Sequence, residues 1–265
     1  MELPRSTCLL VEELAANAVP ATTVQLVDGW LLRAWPEAPF RRCNSVLAIR
    51  GDARDLDARI RVAEDFYRRR ALPVRFQLGP VTRPPGLERQ LAALGYEVEA
   101  PVLVQVAGVA DLLRATADAA SGSLRADVEE RPDAAWLEAA AAGHGDERGT
   151  RRRVLSYGEL LVRIGPRGAV AVVRDADGAV AGTGFVVAER GWAGVFGMGT
   201  RPLMRRRRVA TRLLHALAEQ ASRLGAKRLY LQVEADNVPA LALYAHAGFD
   251  AAYGYHYRSL GLRPG

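Results

Sequence analysis

The sequence has few of the residues that build disulfide frameworks, metal sites or membrane spans. Its two cysteines, Cys8 and Cys43, and its four scattered histidines have no metal-ligand spacing, and reduced buried thiols are favoured over a disulfide. No apolar run reaches the roughly 18–20 residues that a membrane span needs. The first residues lack a basic segment followed by a long apolar core. We therefore expect a cytoplasmic protein without a metal, a membrane anchor or a signal peptide.

Lysine is almost absent, because Lys227 is the only lysine among the 36 Lys and Arg residues. The net charge of +6 permits an anionic ligand or nucleic acid as a partner. Such uniform use of arginine can reflect genome composition, so the cluster Arg205–Arg208 is more informative than the total charge. The 265 residues, 49% of them hydrophobic, suffice for the core of one large or two modest domains.

An anion site is predicted in the stretch from Phe196 to Leu217. The run from Trp192 to Gly199 reads as a strand end, and residues 200–207 read as a basic loop. Apolar residues then recur at helical spacing, which predicts a helix from near Arg208: Val209, Leu213, Leu217, Ala221 and Leu224. The first turn of a helix has free backbone N–H groups and a partial positive charge, and it binds phosphate. The four arginines add formal charge at the same place.

A second strand–helix pair follows at a short distance. The run Leu229–Val233 is strand-like. Asn237 is a good N-cap, Pro239 suits a first helical turn, and Gly248 suits the end of a helix.

Together these two segments resemble the GNAT acyltransferase superfamily. Its signature loop, Gln/Arg-x-x-Gly-x-Gly/Ala, is matched by Arg205 at the first position and Ala210 at the last, whereas Arg208 replaces the middle glycine. An arginine there can offer its backbone N–H to a pyrophosphate if its φ is negative. The family's Asn-x-x-Ala-x-x-x-Tyr-x-x-x-Gly-Phe segment is matched in full, by Asn237, Ala240, Tyr244, Gly248 and Phe249.

The resemblance implies an α/β (α+β) protein with a catalytic GNAT domain over residues 116–265. That domain has a mixed, mostly antiparallel sheet flanked by helices. A smaller N-terminal α/β domain over residues 1–115 resembles a degenerate GNAT half. Residues 29–33 and 42–46 also resemble the N-terminal region of two-part members of the superfamily.

The order of elements in the N-terminal half supports a degenerate copy. We read residues 24–34 as one strand and 45–49 as another, followed by helix 54–71, strand 74–78 and helix 87–94. This order repeats from residue 208 onward, with Pro84 at the position of Asn237 and Leu91 at that of Tyr244. The arginine run is lacking in this copy, where its counterpart is Arg50-Gly51-Asp52-Ala53-Arg54, so this half is expected to be structural or to shape the substrate site. Generic α/β alternation is the alternative explanation.

The resemblance further implies transfer of an acyl group, most often acetyl, from acetyl-CoA to the amine of a small molecule or peptide. Tyr244 would protonate the leaving thiolate and Glu234 would accept the amine proton. The residues expected to bind acetyl-CoA are Met198, Gly199, Thr200, Arg205, Arg206, Arg207, Arg208, Val209, Ala210, Thr211, Asn237 and Tyr244.

Other interpretations remain open at this point. Tyr244 fits a half-buried aromatic residue, Asn237 fits a simple helix cap, and Glu234 fits a solvated or ion-paired carboxylate. The chain could bind acyl-CoA or a partner without turnover, or it could bind nucleic acid through Arg205–Arg208. No aromatic residue is interleaved with those arginines, as single-strand binding would favour, and no helix-turn-helix or zinc signature accompanies them. A monomer or a homodimer is expected.

Overall fold

The protein is described here by a computed structural model, which covers residues 3–52, 54–119, 124–142 and 147–261. These residues form two compact units. The N-terminal unit contains residues 3–103, 234–236 and 253–261, and the C-terminal unit contains residues 104–233 and 237–252. The domain boundary expected at residues 115/116 stays a prediction. The sequence Gly-His-Gly-Asp at residues 143–146 predicts a turn, and these residues lie outside the described ones.

The N-terminal unit is a small sheet with helices. Its helices are α1 (Arg5–Ala18), α2 (Leu56–Arg68) and α3 (Leu87–Ala93), and its strands are β1 (Thr23–Val27), β2 (Trp30–Ala34), β3 (Val46–Ala48) and β4 (Val74–Leu78). It also holds the first part of β5 (Glu97–Gly108) and the last part of β11 (Asp250–Leu260). Neighbouring strands in the order β1-β2-β3-β4-β11 pair antiparallel, except that β3 and β4 are parallel.

The single strand expected over residues 24–34 is wrong, because the chain reverses there as the β1–β2 hairpin. Asp28 and Gly29 form the turn with φ values of 43° and 85°. The two-residue turn of such a hairpin requires positive φ at both positions, which Asp-Gly supplies. The Asp-Gly dipeptide is therefore a local signal for this turn, and it was missed. Helix α1 was also missed.

Helix α2 and three interlocking aromatic rings form the core of this unit. The rings of Trp30 and Tyr96 each meet Phe76 edge-on, with centroids 5.5 and 5.6 Å apart. Ile60 and Tyr67 of α2 are buried in the same cluster. Burying a large apolar side chain stabilises a fold by about 1.5–3 kcal/mol, so these residues suffice to hold α2 on the sheet.

The C-terminal unit also consists of a sheet with helices, and it is the larger of the two units. Its helices are α4 (Val109–Ala115), α5 (Ala134–Ala141), α6 (Glu147–Ile164), α7 (Val209–Arg223) and α8 (Val238–His246). Its strands are β6 (Ala126–Glu129), β7 (Gly168–Arg174), β8 (Val180–Glu189), β9 (Trp192–Thr200) and β10 (Arg228–Glu234), with Glu234 itself in the N-terminal unit. Strands β6 to β9 pair antiparallel, and β9 pairs with β10 in parallel. The sequence Asp-Ala-Asp-Gly at residues 175–178 predicts a hairpin turn, and the structure confirms it between β7 and β8.

Two glycines of β8 allow helix α7 to lie directly on the sheet. A Cβ at Gly182 would lie 2.6 Å from Val209 Cγ1, and one at Gly184 would lie 3.0 Å from Leu217 Cδ1. Val209, Leu213, Leu217 and Ala221 of the predicted helix face are buried at 0–1% exposure, whereas Leu224 follows the end of α7 and is 37% exposed, so its place on that face is wrong. The predicted architecture, a mixed, mostly antiparallel sheet flanked by helices, is therefore confirmed.

Candidate active site

The parallel strands β9 and β10 separate before they end. Their ladder begins at Trp192 opposite Arg228 and ends at Val195 opposite Leu231. Beyond that point, residues 196–200 of β9 are half-buried and keep only β8 as a ladder partner within the described strands. Backbone groups on the other side of β9 are therefore available to a ligand. Met198, Gly199 and Thr200, the predicted acyl-binding residues, form this stretch.

The basic loop after β9 is anchored at its beginning and exposed at its tip. The Arg201 side chain pairs with Asp175 of the β7–β8 turn, and Met204 is buried at 5% exposure. Backbone N–H groups of Met204 and Arg205 donate to Arg201 O and Pro202 O. Arg205 to Arg208 then follow as an exposed run. The anchors hold the loop on the sheet while the arginine side chains extend into solvent.

Arg208 has a φ of +61° and ψ of 16°, so the negative φ considered from sequence is wrong. Arg206 also lies in the left-handed region, at 62°. Glycine adopts that region freely, whereas other residues do so at a cost of about 1 kcal/mol or more. At Arg208 the loop therefore has a backbone conformation that glycine would adopt without strain, with an arginine side chain added. That side chain lies 3.7 Å from Asp118.

Helix α7 begins directly after this loop, at Val209. No side chain caps its first turn. The N–H groups of Val209, Ala210 and Thr211 have no acceptor within the helix by its geometry, and the helix dipole makes that end partly positive. With the exposed arginines beside it, this end suits a diphosphate.

Helix α8 follows β10, whose end lies at the same edge of the sheet as the end of β9 because the two strands are parallel. Asn237 caps α8 by accepting a hydrogen bond from Ala240 N at 3.2 Å, which confirms the predicted cap. Gly248, with a φ of 90°, ends the helix as predicted. Phe249 N–H then donates to Tyr244 O at 2.9 Å.

Tyr244 is the buried residue of this helix, at 8% exposure. Its ring meets Phe249 edge-on at 5.8 Å. Burial raises the pKa of Tyr244 to about 12, because the phenolate would lose hydration. The side chain is therefore a neutral phenol at physiological pH and can donate a hydrogen bond or a proton.

Glu234 is the predicted site residue that lies in the N-terminal unit. Its Oε1 accepts a hydrogen bond from Arg41 Nη1 at 3.1 Å, in an exposed ion pair that joins residues 193 positions apart. The ion-paired alternative therefore describes its state in this structure. In the sequence Arg41 is only half of the basic pair Arg41-Arg42, and no local pattern connects positions so distant.

A stack of aromatic side chains beside the separated part of β9 was also missed. Phe196 stacks on Phe185 with centroids 5.3 Å apart, and it meets Tyr230 edge-on at 5.9 Å. Tyr157 of α6 and Trp136 of α5 complete the cluster against Phe185. These five residues lie in five different elements, so only the fold reveals that they meet.

Neither a metal centre nor a membrane span was found in the part of the chain that the structure describes. Within residues 3–52, 54–119, 124–142 and 147–261, no three His, Cys, Asp or Glu side chains are grouped to hold a metal ion. None of the helices in those ranges combines the length and apolar character needed to cross a membrane.

Comparison with known proteins agrees with this geometry. The family described as "Probable histone acetyltransferase Rv0428c C-terminal" matches residues 6–258. The N-acetyltransferase YobR of Bacillus subtilis is 28% identical over 94% of this chain and 96% of its own length. A mycothiol acetyltransferase of Clavibacter michiganensis is 42% identical over 33% of this chain and 29% of its own. The structure of a GCN5-related N-acetyltransferase from Kribbella flavida superposes with a TM-score of 0.68 at 16% identity, covering 99% and 97% of the two chains.

The family match spans nearly the whole chain, and the fold agreement is equally extensive. The chain belongs to this acetyltransferase family and, with it, to the GNAT superfamily of N-acetyltransferases.

Proposed function

We propose that the protein transfers an acetyl group from acetyl-CoA directly to a primary amine. The observation that carries this proposal is the separation of β9 from β10 beside a basic loop and a helix N-terminus. Acetyl-CoA, when bound, supplies the acetyl group as a reactive thioester. The residues described above would each meet one requirement of that chemistry.

The diphosphate of the co-substrate would bind at the start of α7. The available backbone donors there are among the N–H groups of residues 206–211, since the Arg205 N–H already donates to Pro202 O. The side chains of Arg205 to Arg208 add charge-assisted hydrogen bonds. The left-handed φ of Arg208 does not meet the condition for donation by its own N–H, so the neighbouring N–H groups and the Arg208 guanidinium would make these contacts.

The thioester carbonyl would lie against the exposed edge of β9. Backbone groups of Met198, Gly199 and Thr200 on that side are left without a partner in β10. A backbone N–H aimed at a developing oxyanion costs no reorganisation during the reaction, so it stabilises the transition state.

Tyr244 and Glu234 would handle the protons. A phenol with its pKa raised to about 12 by burial is a weaker acid than an ordinary thiol, which titrates near about 8.5. Tyr244 would therefore stabilise the leaving thiolate chiefly by donating a hydrogen bond. Glu234 would accept the amine proton, directly or through water, while Arg41 holds its carboxylate.

The acceptor is proposed to be a primary amine on a small molecule or a peptide. The names of the relatives point to both classes, one to histone and one to mycothiol. We further propose a cytoplasmic location and a monomeric or homodimeric state. Binding of acyl-CoA without turnover is the competing function.

Calorimetric titration with acetyl-CoA tests the co-substrate site. We expect micromolar binding by the wild type and at least about a 100-fold loss in Arg205→Glu/Arg207→Glu, because two charge-assisted contacts become repulsive. The matched control is Arg50→Glu/Arg54→Glu, which makes the same charge change at exposed positions before α2. The control should bind like the wild type.

The outcomes separate the candidate functions. Equal losses in both variants would indicate a general charge effect and overturn the loop assignment. Binding without acetylation of any member of a panel of amino acids, polyamines, amino sugars and lysine peptides would favour the non-catalytic binder. A gel shift of nucleic acid that weakens with salt, without acetyl-CoA binding, would favour the nucleic-acid binder.

A further inference from the structure

The segment of residues 42–46 resembles a family motif, but the proposed chemistry gives it no role. In the structure its centre is the buried side chain of Asn44. Asn44 Oδ1 accepts a hydrogen bond from Trp35 N at 2.8 Å, and Nδ2 donates to the carbonyl oxygens of Trp35, Ala38 and Phe40 at 2.9–3.1 Å. One side chain thus closes the whole loop of residues 35–43. A buried amide that satisfies four backbone contacts fixes a loop firmly.

Ser45 and Arg33 brace the same loop from the sheet. The Arg33 guanidinium donates to Ser45 Oγ at 2.9 Å and to Ser45 O at 3.2 Å. Ser45 Oγ in turn donates to Arg42 O at 3.1 Å. The backbone on the far side of Arg41 is therefore held as well, so the loop presents Arg41 from a rigid base.

Arg41 bridges two glutamates. Its Nε donates to Glu99 at 2.7 Å and its Nη1 donates to Glu234 at 3.1 Å. Glu99 also accepts a hydrogen bond from Arg75 Nε at 2.9 Å. Side-chain exposure falls along this row from 55% at Glu234 through 42% and 26% to 21% at Arg75. The inner end is anchored, and the outer carboxylate is held through Arg41.

The charges in the row support one another. Burial raises the pKa of Glu99, but the hydrogen bonds from Arg75 and Arg41 outweigh it and hold the pKa below its ordinary value. The two carboxylates likewise hold the pKa of Arg41 above its ordinary value, although burial acts in the opposite direction. Glu99 and Arg41 therefore both stay ionised at physiological pH, which keeps the Arg41 guanidinium anchored at the inner end of the row.

The backbone beside Glu234 is fixed independently. Ala235 N–H donates to Pro101 O of β5 at 2.9 Å. The main chain next to Glu234 is thus tied to β5, and its carboxylate is tied to Arg41. The Glu234 carboxylate can then move only by rotation about its own side-chain torsions, and the ion pair with Arg41 restricts that rotation.

We propose that Arg41 is a positioning residue that holds the Glu234 carboxylate in the orientation needed to accept the amine proton, with the loop braced by Asn44 as its support. This inference rests on the proposed function, in which Glu234 is the base. A carboxylate released from Arg41 would sample several rotamers, and general-base catalysis requires it within hydrogen-bond reach of the proton.

A double-mutant cycle tests the proposal, using acetyl-CoA and the fastest amine of the panel. We expect Arg41→Ala to lower kcat about 10-fold, while the KM for acetyl-CoA changes less than about twofold. Arg41→Lys should recover part of kcat, since an ammonium can still contact one carboxylate. In the Glu234→Gln background, Arg41→Ala should cause no further loss, because its effect passes through Glu234.

Arg50→Ala is the control variant. It removes another exposed arginine, which pairs with Glu13 at 3.2 Å, and it should leave kcat unchanged. Unchanged kcat in Arg41→Ala, or the same fall in both backgrounds, would overturn the positioning role alone. Full activity of Glu234→Gln would overturn the base assignment and the Arg41 proposal with it. No turnover of any amine by the wild type would instead overturn the proposed function.

Discussion

The two units each contain a strand, a loop and a helix that leads into a parallel neighbouring strand. In the N-terminal unit β3 is followed by α2 and pairs with β4, and in the C-terminal unit β9 is followed by α7 and pairs with β10. A non-glycine residue in the left-handed region stands directly before each helix, Asp55 at a φ of 48° and Arg208 at 61°. The backbone course of the two corners is thus alike.

The arginines at these two corners lie in opposite environments. In the N-terminal unit, Arg59 of α2 turns back into the loop and is buried at 5% exposure. Its guanidinium donates to Asp52 O and Arg54 O, both at 3.2 Å, and lies 4.9 Å from the Trp30 ring centroid. This corner directs carbonyl groups at a cation of its own chain. The C-terminal corner instead leaves its arginines exposed at the start of α7.

One corner is therefore filled and stabilises its unit, whereas the other is open to a ligand. This contrast supports the hypothesis that the N-terminal half is a degenerate copy with a structural role. Corresponding corners of the two units thus hold arginines in different environments, buried against backbone carbonyl groups in one and exposed in the other.

The largest effect is expected at Tyr244, whose counterpart in the N-terminal half is Leu91. Tyr244→Phe should lower kcat about 100-fold with the acetyl-CoA Kd unchanged, because only the thiolate loses its donor. Since the pKa of Tyr244 is about 12, its ionisation should not reduce the wild-type rate over roughly pH 7 to 10. Steady-state kinetics across this range check both points.

Tyr96→Phe serves as the control for that substitution. Tyr96 is also buried, and its hydroxyl donates to Glu64 at 3.0 Å in the N-terminal unit. Its substitution should leave kcat unchanged. Equal kcat for Tyr244→Phe and wild type would place Tyr244 among the packing residues, like Leu91.

The next largest effect is expected on stability at the filled corner. Arg59→Leu should lower the free energy of unfolding by about 2–4 kcal/mol, because buried carbonyl groups lose their donor. Urea unfolding measures this loss. Arg207→Leu, in the open corner, should leave stability unchanged and weaken acetyl-CoA binding. If Arg59→Leu were neutral, the filled corner would not be a stabilising feature.

The smallest effect is expected from glycine at the left-handed positions. Arg208→Gly and Asp55→Gly should each stabilise by about 0.5 kcal/mol, since relief of backbone strain exceeds the entropy that glycine adds to the unfolded chain. Arg207→Gly, where φ is not left-handed, should destabilise by about 0.5–1 kcal/mol. Thermal unfolding of the three variants checks the signs. Destabilisation by all three would contradict the strain argument.

Sequence reasoning succeeded where a signal was local. The Asn237 cap, the Gly248 stop and the face of α7 each follow from a pattern within a few residues. The roles of Tyr244 and Glu234 remain predictions. The Asp28-Gly29 turn was equally local and was simply missed.

The remaining features depend on distant parts of the chain. Arg41 reaches Glu234 across 193 positions, and the φ of Arg208 is set by the loop's anchors and helix rather than by arginine's own preference. The aromatic cluster around Phe185 draws on five elements. Packing determines such contacts, so they become visible only once the fold is known.

The glycine pair in β8 has a consequence for mutational tolerance. Every substitution of a glycine adds at least a Cβ atom. At Gly182 that atom would lie 2.6 Å from Val209 Cγ1 and 2.8 Å from Gly199 O. Helix α7 and strand β9 would both have to shift to admit it. A mutational scan should therefore find that Gly182 does not tolerate even alanine. Natural variants should keep glycine at this position unless residues of α7 have changed first.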